Sequence, residues 1–311
     1  MHRTILCALI VGSTMLSALP ASAQASRTWV SQATGDDAFA CSRTQPCRTF
    51  SGAIAKTAIN GEINCIDAGG YGAVTIAKSV TIDCTGTYGS ILAGTSVAAV
   101  LINITPSADD PHRSVRLRGL SINGTGLMGS VGTRTGTDGV RILQASSVFV
   151  EDTVINDFAQ QGVKVAAGAT VNLMLDNVVI RNTNGSGVTL STMTGQVVAS
   201  LNNVRIDGTP VGVSANGLVR VDLRNMTLSH NVTGIKTQNA DNIINVDNMM
   251  VSFSTTGAQS SAGNTIRIAN STITQNATGL FPNGGSIVSM SGNSLTGNTT
   301  DGNFTNTQPK L

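Results

Sequence analysis

Residues 219–238, VRVDLRNMTLSHNVTGIKTQ, carry the pattern that decides the fold. Polar residues separate the apolar Val219, Val221 and Leu223, as they do in a strand with one buried face. Asn225 and Gly234 interrupt this alternation, and both residue types favour tight turns. The segment therefore predicts short strands that are separated by sharp corners.

The same pattern recurs along the second half of the chain. A turn glycine followed by an apolar residue returns every 22 to 25 residues, at Gly139, Gly162, Gly187, Gly212, Gly234, Gly257 and Gly279. A second column of polar residues lies nine or ten residues ahead of a turn glycine, at Asp152, Asn177, Asn203, Asn225, Asn248, Asn270 and Asn293. Two registers that stay in step over several coils indicate a true repeat.

Repeats of this kind bury their apolar side when coils stack about 4.8 Å apart, because every strand then pairs with its equivalents above and below. An Asn at a fixed corner tolerates a left-handed backbone, and its amide can bond to the Asn of the next coil. The sequence therefore predicts an all-β fold, a single-stranded right-handed parallel β-helix (a solenoid) of about nine coils. The residues predicted to form its structural ladder are Asn177, Asn203, Asn225, Asn248, Asn270 and Asn293.

The ends of such a solenoid need covers, because stacked coils leave an apolar end exposed. Residues 47–58 place Phe50, Ile54 and Ala58 at helical spacing, which predicts a short amphipathic capping helix. The predicted organisation is a signal peptide at 1–23, an N-terminal segment with the capping helix at 24–60, the β-helix at 61–305 and a C-terminal tail at 306–311.

The first residues have the three parts of a secretory signal. His2 and Arg3 are basic, residues 5–19 are apolar, and small residues lead up to Ala23, where we expect cleavage. An uncleaved membrane anchor is the alternative, and the shortness of the apolar stretch argues against it. The signal predicts a secreted or periplasmic protein.

Four cysteines follow the expected cleavage point, at Cys41, Cys47, Cys65 and Cys84. An even number in an exported chain favours disulfides. We favour Cys41–Cys47, which closes a short loop, and Cys65–Cys84, which joins two successive strands. A zinc site is the alternative, but it lacks a tight pair of cysteines and a nearby histidine. We therefore predict no metal and no cofactor.

Composition excludes two classes of partner. Charged residues make up 12% of the chain and the formal net charge is +2, so no basic field for nucleic acid is present. Beyond the first residues, no apolar stretch approaches the roughly 18 residues that span a bilayer. We expect no nucleic-acid partner and no membrane span.

The chain resembles the pectin-lyase-like superfamily of right-handed β-helices over about residues 45–305. The resemblance rests on a capping helix, a glycine-rich turn at residues 69–72 and coils that carry an Asn column. It is nearest to exported bacterial members of that superfamily. It implies a fold and not one activity, because the superfamily includes lyases, hydrolases, esterases, epimerases and phage tail proteins.

The resemblance implies that a working surface would lie on the outer face of the strand after the turn glycine. That column holds Arg141, Lys164, Thr189, Ser214, Lys236, Gln259 and Phe281. As a set, Arg141, Lys164 and Lys236 would bind an acidic polysaccharide by charge; isolated basic residues on a solvated sheet are the plainer interpretation. The column has no acidic residue, so neither the Ca²⁺ cluster of pectate lyases nor the Asp pair of polygalacturonases is visible.

One segment hints at catalysis. Asp110-Pro111-His112-Arg113 is similar to the Asp-Pro-His segment of mannuronan epimerases, where His and Asp serve proton removal. Abstraction at C5 needs a base and a cation beside the uronate, which makes His112, Arg113 and Arg141 the candidate catalytic residues. The alternative is an exposed turn before a strand.

The favoured hypothesis is a non-enzymatic exported β-helix that presents a surface for polysaccharide or envelope binding. The alternative is a polysaccharide lyase or C5-epimerase that acts on an acidic (uronate) glycan. Long loops at residues 105–113 and 124–138 would border either site. The oligomeric state is left open.

Overall fold

The computed structural model describes residues 24–125, 134–239 and 241–308. The predicted signal peptide at residues 1–23 lies outside these residues. So do residues 126–133 of the predicted long loop and the last three residues of the predicted tail.

The described chain contains one helix and 27 strands. The first half consists of β1 (Ala25–Val30), α1 (Phe50–Lys56), β2 (Thr57–Cys65), β3 (Gly69–Gly70), β4 (Val74–Ile76), β5 (Val80–Asp83), β6 (Gly89–Leu92), β7 (Val100–Asn103), β8 (Ser114–Arg118), β9 (Leu120–Asn123), β10 (Val140–Gln144), β11 (Ser147–Asn156), β12 (Val163–Ala167) and β13 (Val171–Arg181). The second half consists of β14 (Ser186–Thr192), β15 (Val197–Asn202), β16 (Arg205–Asp207), β17 (Val211–Asn216), β18 (Val219–Ser229), β19 (Thr233–Gln238), β20 (Ile243–Ser252), β21 (Thr256–Gln259), β22 (Thr265–Ala269), β23 (Thr272–Thr274), β24 (Thr278–Phe281), β25 (Ser286–Ser289), β26 (Ser294–Leu295) and β27 (Asn306–Thr307).

The strands form two sheets that run the length of the molecule. A nine-stranded sheet stacks one strand from each coil, in the order β4, β7, β10, β12, β14, β17, β19, β21 and β24, and its pairings are parallel. The other strands form an eighteen-stranded sheet that bends at a corner within each coil. This architecture confirms the predicted all-β parallel solenoid of about nine coils.

The core is a column of apolar side chains that point inward from equivalent positions. Val140 pairs with Val163 and Val163 with Val188 along the nine-stranded sheet, and all three side chains are buried. Each fully buried Val or Ile contributes about 1.5 to 3 kcal/mol. Because every coil repeats these inward positions, the apolar column continues from one coil to the next.

An outer ladder of side chains runs along the corner of the eighteen-stranded sheet. Asp152, Asn177 and Asn203 have positive φ there. The Nδ2 of Asn177 donates to the Asp152 carboxylate at 2.7 Å, and the Nδ2 of Asn203 donates to the Oδ1 of Asn177 at 3.1 Å. Asn225 and Asn270 also have positive φ, but each bonds to the residue beside its expected partner. Their acceptors are the side chains of Asn202 at 2.8 Å and Asp247 at 2.7 Å.

The prediction that Asn293 continues this ladder is wrong. Gly292 takes the corner position, with φ 68°, and a side chain there would collide with the Oδ1 of Asn270. Asn293 lies one residue further, opposite Ser271, where its Oδ1 accepts from the Ser271 amide at 3.0 Å. Counting back nine residues from Gly302 gave the wrong register, because Thr278 pairs with Thr300 and the residue equivalent to Gly279 is therefore Asp301, one residue earlier.

A second ladder lies inside the opposite corner, and the sequence pattern did not predict it. The Oδ1 of Asn276, which is 2% exposed, accepts from the backbone amide of Ser254 at 2.9 Å. The Asn276 Nδ2 donates to the carbonyl of Val251 at 3.1 Å and to the Oδ1 of Asn298 at 2.9 Å. These bonds satisfy corner backbone groups that would otherwise be buried without a partner.

Helix α1 covers the N-terminal end of the solenoid, with Phe50 and Ala53 buried. It is shorter than the predicted segment 47–58 because Thr49 caps it, accepting a bond from the Gly52 amide, and Thr57 already has extended backbone. β1 pairs in parallel with β2, so the segment that was predicted to precede the solenoid supplies a strand to it. No helix in the described ranges is long and apolar enough to cross a membrane.

Both predicted disulfides form, Cys41–Cys47 and Cys65–Cys84.

Asp67 fixes the same end of the molecule. Its carboxylate accepts bonds from the Ser31 hydroxyl at 2.6 Å, the Gln32 amide at 2.7 Å and the Tyr71 hydroxyl at 2.7 Å. Partial burial alone would raise its pKa, but these bonds lower the pKa of Asp67 to about 2.

Candidate functional site

The two sheets differ in charge. The only charged residues within the strands of the nine-stranded sheet are Arg141, Lys164 and Lys236, and all three are basic. The strands of the eighteen-stranded sheet carry as many acidic as basic residues, eight of each. A uniformly basic face is therefore confined to the smaller sheet.

These three residues lie in one row on the outer face of the nine-stranded sheet. Arg141 pairs directly with Lys164, and Lys236 follows three strands later in the same register. Thr189 and Ser214 separate Lys164 from Lys236, and Gln259 and Phe281 continue the row. At about 4.8 Å per strand, Arg141 and Lys164 are neighbours and Lys236 lies about 19 Å from Arg141.

A buried carboxyl lies beneath the basic pair. Asp138, immediately before the turn Gly139, is 0% exposed, and its Oδ1 accepts from the backbone amide of Gln161 at 3.1 Å. Its Oδ2 is 3.7 Å from the nearest guanidinium nitrogen of Arg141, whose side chain is 37% exposed. Asp138 was not predicted from the sequence, because it precedes the turn Gly139 whereas the predicted outer column follows that glycine.

The cluster is incompletely paired. Asp138 Oδ2, Arg141 Nε and Gln161 Oε1 are buried and have no hydrogen-bond partner within the described part of the chain. Burial raises the pKa of Asp138, while the Gln161 amide, Lys164 and Arg141 act in the opposite direction. Native structures leave few buried polar atoms without a partner, so this cluster beneath two cations is unusual.

A cavity of about 380 Å³ opens beside Arg141. Thr75 and Leu101, the preceding members of the row, lie in it, and Ser51, Val97 and Thr137 are among its other lining residues. The volume is in the range of small-ligand sites. Arg141 thus lies in a partly enclosed groove with the outer face of the sheet as its floor.

Chemically, the pair Arg141 and Lys164 fits an anionic ligand. A guanidinium binds a carboxylate with two parallel hydrogen bonds, and an ammonium adds a point charge. Because the row continues over further strands, a linear ligand would lie along the solenoid axis and meet Lys236.

His112 and Arg113 lie in the loop before β8, and neither lines the cavity beside Arg141. Asp110 in the same segment is 3% exposed, and its carboxylate accepts from the amide and the hydroxyl of Ser79 and from the amide of Arg113. Asp110 therefore fastens this turn to the preceding coil. In the residues that the structure describes, the predicted catalytic set of His112, Arg113 and Arg141 does not come together around one cavity.

A contrasting groove of about 260 Å³ lies on the eighteen-stranded sheet. Its lining includes Asp222, Arg224, Asn245, Asp247 and Arg267. Asn245 donates to Asp222 at 2.9 Å and accepts from Arg267 at 3.4 Å, so much of its polarity is already paired. Across the described ranges, no three His, Cys, Asp or Glu side chains come together as a potential metal site.

Comparison with known proteins identifies the fold. No family model matches the chain, and no curated protein matches it. The solved structure of the pectate lyase Pel9A superposes with a TM-score of 0.62 at 13% identity, over 91% of this chain and 80% of that one. A rhamnogalacturonan lyase gives a TM-score of 0.49 at 13% identity, over 80% and 76%. At such low identity the likeness to Pel9A concerns the fold alone, and together with the stacked parallel sheets it shows that this chain folds as a right-handed parallel β-helix.

Proposed function

We propose that this chain is an exported protein that binds an acidic polysaccharide, or a charged envelope glycan, on the outer face of its nine-stranded sheet without converting it. One observation carries the proposal: every charged residue in the strands of that sheet is basic, and two of them, Arg141 and Lys164, are adjacent, with Arg141 lining a cavity. Uronate chains supply regularly spaced carboxylates that match such a row.

Two further features support export and binding without conversion, respectively. Disulfides such as Cys41–Cys47 and Cys65–Cys84 persist in oxidising compartments, which favours export. The single carboxyl of the cluster, Asp138, is 0% exposed and is therefore out of reach of a sugar C5 proton, which favours binding without conversion.

The test is calorimetric titration of the protein with oligogalacturonates and oligomannuronates, with neutral oligosaccharides of equal length as the reference. We expect Arg141→Ala and Lys164→Ala each to weaken binding of the acidic oligosaccharides about 10-fold or more, since charge-assisted bonds contribute about 1.5 to 3 kcal/mol. Arg224→Ala is the matched control, because Arg224 is exposed on the other sheet.

The proposal would be refuted if the acidic oligosaccharides bind with an affinity that changes neither with salt nor with Arg141→Ala or Lys164→Ala. Equal loss in Arg224→Ala would mean that net charge, and not this face, attracts the glycan.

A uronate lyase or C5-epimerase is the second candidate, favoured by the adjacent Arg141 and Lys164, by the cavity that Arg141 lines and by a fold shared with a pectate lyase. In such a reaction a base removes the C5 proton while a cation stabilises the carboxylate. Elimination then expels the O4 substituent and leaves a C4–C5 double bond, whereas epimerisation returns the proton to the opposite face. Ultraviolet absorbance of the unsaturated product detects the first outcome, and deuterium uptake from heavy water detects the second. Turnover abolished by His112→Ala or Lys164→Ala would replace the binding proposal with this one.

A further inference from the structure

Two aromatic rings are stacked at a solvent-facing corner of the solenoid. The rings of His230 and Phe253, from consecutive coils, have centroids 5.2 Å apart and an interplanar angle of 11°. The His230 side chain is 64% exposed, and Phe253 is 54% exposed. An exposed aromatic ring offers an apolar face on which another flat apolar group can stack.

The backbone at this corner does not favour these residues. The column of corner residues with positive φ is Asp157, Asn182, Gly208, His230, Phe253, Gln275 and Gly297. Phe253 has φ 54° and His230 has φ 51°. Left-handed backbone is suited to Gly and Asn and is an outlier for a bulky residue, so the local fold gains nothing from Phe253 that Asn would not supply.

A carboxylate holds the histidine in place. The Oδ1 of Asp207 lies 2.9 Å from the Nδ1 of His230 and accepts a bond from the Ser229 hydroxyl at 2.7 Å. Burial alone would raise the pKa of Asp207, but these two partners lower it, so Asp207 is ionised near neutral pH. With Nδ1 donating to Asp207, the Nε2 of His230 is left for an external partner.

The stack lies at the corner that leads into the sheet with the basic row, and His230 precedes Lys236 by six residues. His230 precedes β19, the strand that carries Lys236, and Phe253 precedes the following strand, β21, in the same way. Two strands beyond Lys236 in the row, Phe281 is 46% exposed. Of the four exposed Phe and Tyr side chains in the described residues (Phe39, Tyr88, Phe253 and Phe281), two therefore lie in the two coils that follow Lys236.

We propose that Phe253, stacked on His230, is a sugar-stacking subsite at the Lys236 end of the basic face. It would take one pyranose ring of an acidic oligosaccharide whose carboxylates are held at Lys236 and, about 14 to 19 Å away, at Lys164 and Arg141. The apolar C–H face of the sugar covers the ring, and the His230 Nε2 bonds a hydroxyl. This inference rests on the proposed function and adds a second contact and a minimum ligand length to it.

The experiment compares short and long oligouronates by calorimetry. We expect affinity to rise from the disaccharide to oligomers long enough to reach Lys236. Phe253→Asn should weaken the long ligands about 5- to 10-fold, in line with roughly 1 kcal/mol for an aromatic contact, and leave the disaccharide unchanged. Because Asn suits left-handed backbone, the melting temperature of this variant should stay level or rise.

Two further variants make the outcome decisive. Phe253→Tyr keeps the ring and should keep the affinity, and Tyr88→Ala removes an aromatic side chain that is 84% exposed near the other end of the solenoid and should change nothing. Long ligands bound equally by wild type and Phe253→Asn would overturn the inference while the proposed function stands. A drop in the melting temperature of Phe253→Asn with unchanged affinity would make the stack a packing element. Absence of any acidic-glycan binding by the wild type would overturn both.

Discussion

At the scale of single residues, Asp138 makes the stability of the fold depend on pH. Its carboxyl is fully buried under Arg141 and Lys164, and burial raises its pKa. An unfolded Asp ionises near pH 4, so above that pH the unfolded chain releases a proton that the folded chain still holds. Stability from this residue therefore falls as pH rises from about 4 through the folded pKa.

Asp138→Asn removes this buried ionisation while preserving the acceptor for the Gln161 amide. We expect the variant to be about 1 kcal/mol more stable than wild type at neutral pH, and equal to it near pH 4. Urea denaturation across that pH range measures the difference. A variant that is less stable at neutral pH would mean that ion pairing with Arg141 outweighs the burial cost.

At the scale of the elements, the inner and outer ladders carry different weight. Asn276 is buried and bonds both to backbone and to side-chain groups, whereas Asn248 is exposed and makes one ladder bond, to Asn225 at 2.7 Å. We expect Asn276→Leu to cost about 2 to 4 kcal/mol, because it leaves buried amide and carbonyl groups unpaired.

Asn248→Gly is the matched substitution on the outer ladder. Glycine adopts the same left-handed corner, so we expect a cost of about 0.5 kcal/mol. Chemical denaturation of the two variants tests the ranking, and equal costs would show that the inner bonds have no special weight.

The sequence pattern was sufficient for the coils, the capping helix and the disulfides, because each follows from local spacing. It was insufficient for Asn293, because Gly302 lies one residue beyond Asp301, the true equivalent of Gly279, and counting back from Gly302 shifts the register by one residue. The inner ladder escaped because Ser254 and Asn276 differ in type while occupying equivalent corners, so no single residue type marks the column. Hydrogen bonds between side chains of different coils depend on the tertiary structure, so local spacing in the sequence does not predict them.

At the scale of the whole molecule, the proposed binding surface is the sheet whose strands carry only basic charges. The row of Arg141, Lys164 and Lys236 could be placed from spacing alone, since register transmits one position to every coil. Asp138 and the cavity could not, because burial and the enclosing loops depend on how coils stack. The segment around His112 resembled a catalytic motif in the sequence. In the structure its acidic residue, Asp110, accepts hydrogen bonds from Ser79 and fastens a turn.

The most direct test of the account is a crystal structure of the protein with an acidic oligosaccharide long enough to span the row. The account predicts the ligand along the outer face of the nine-stranded sheet, with a carboxylate bound to Arg141 and Lys164. A ligand bound instead in the groove lined by Asp222 and Arg267, or at His112, would contradict it.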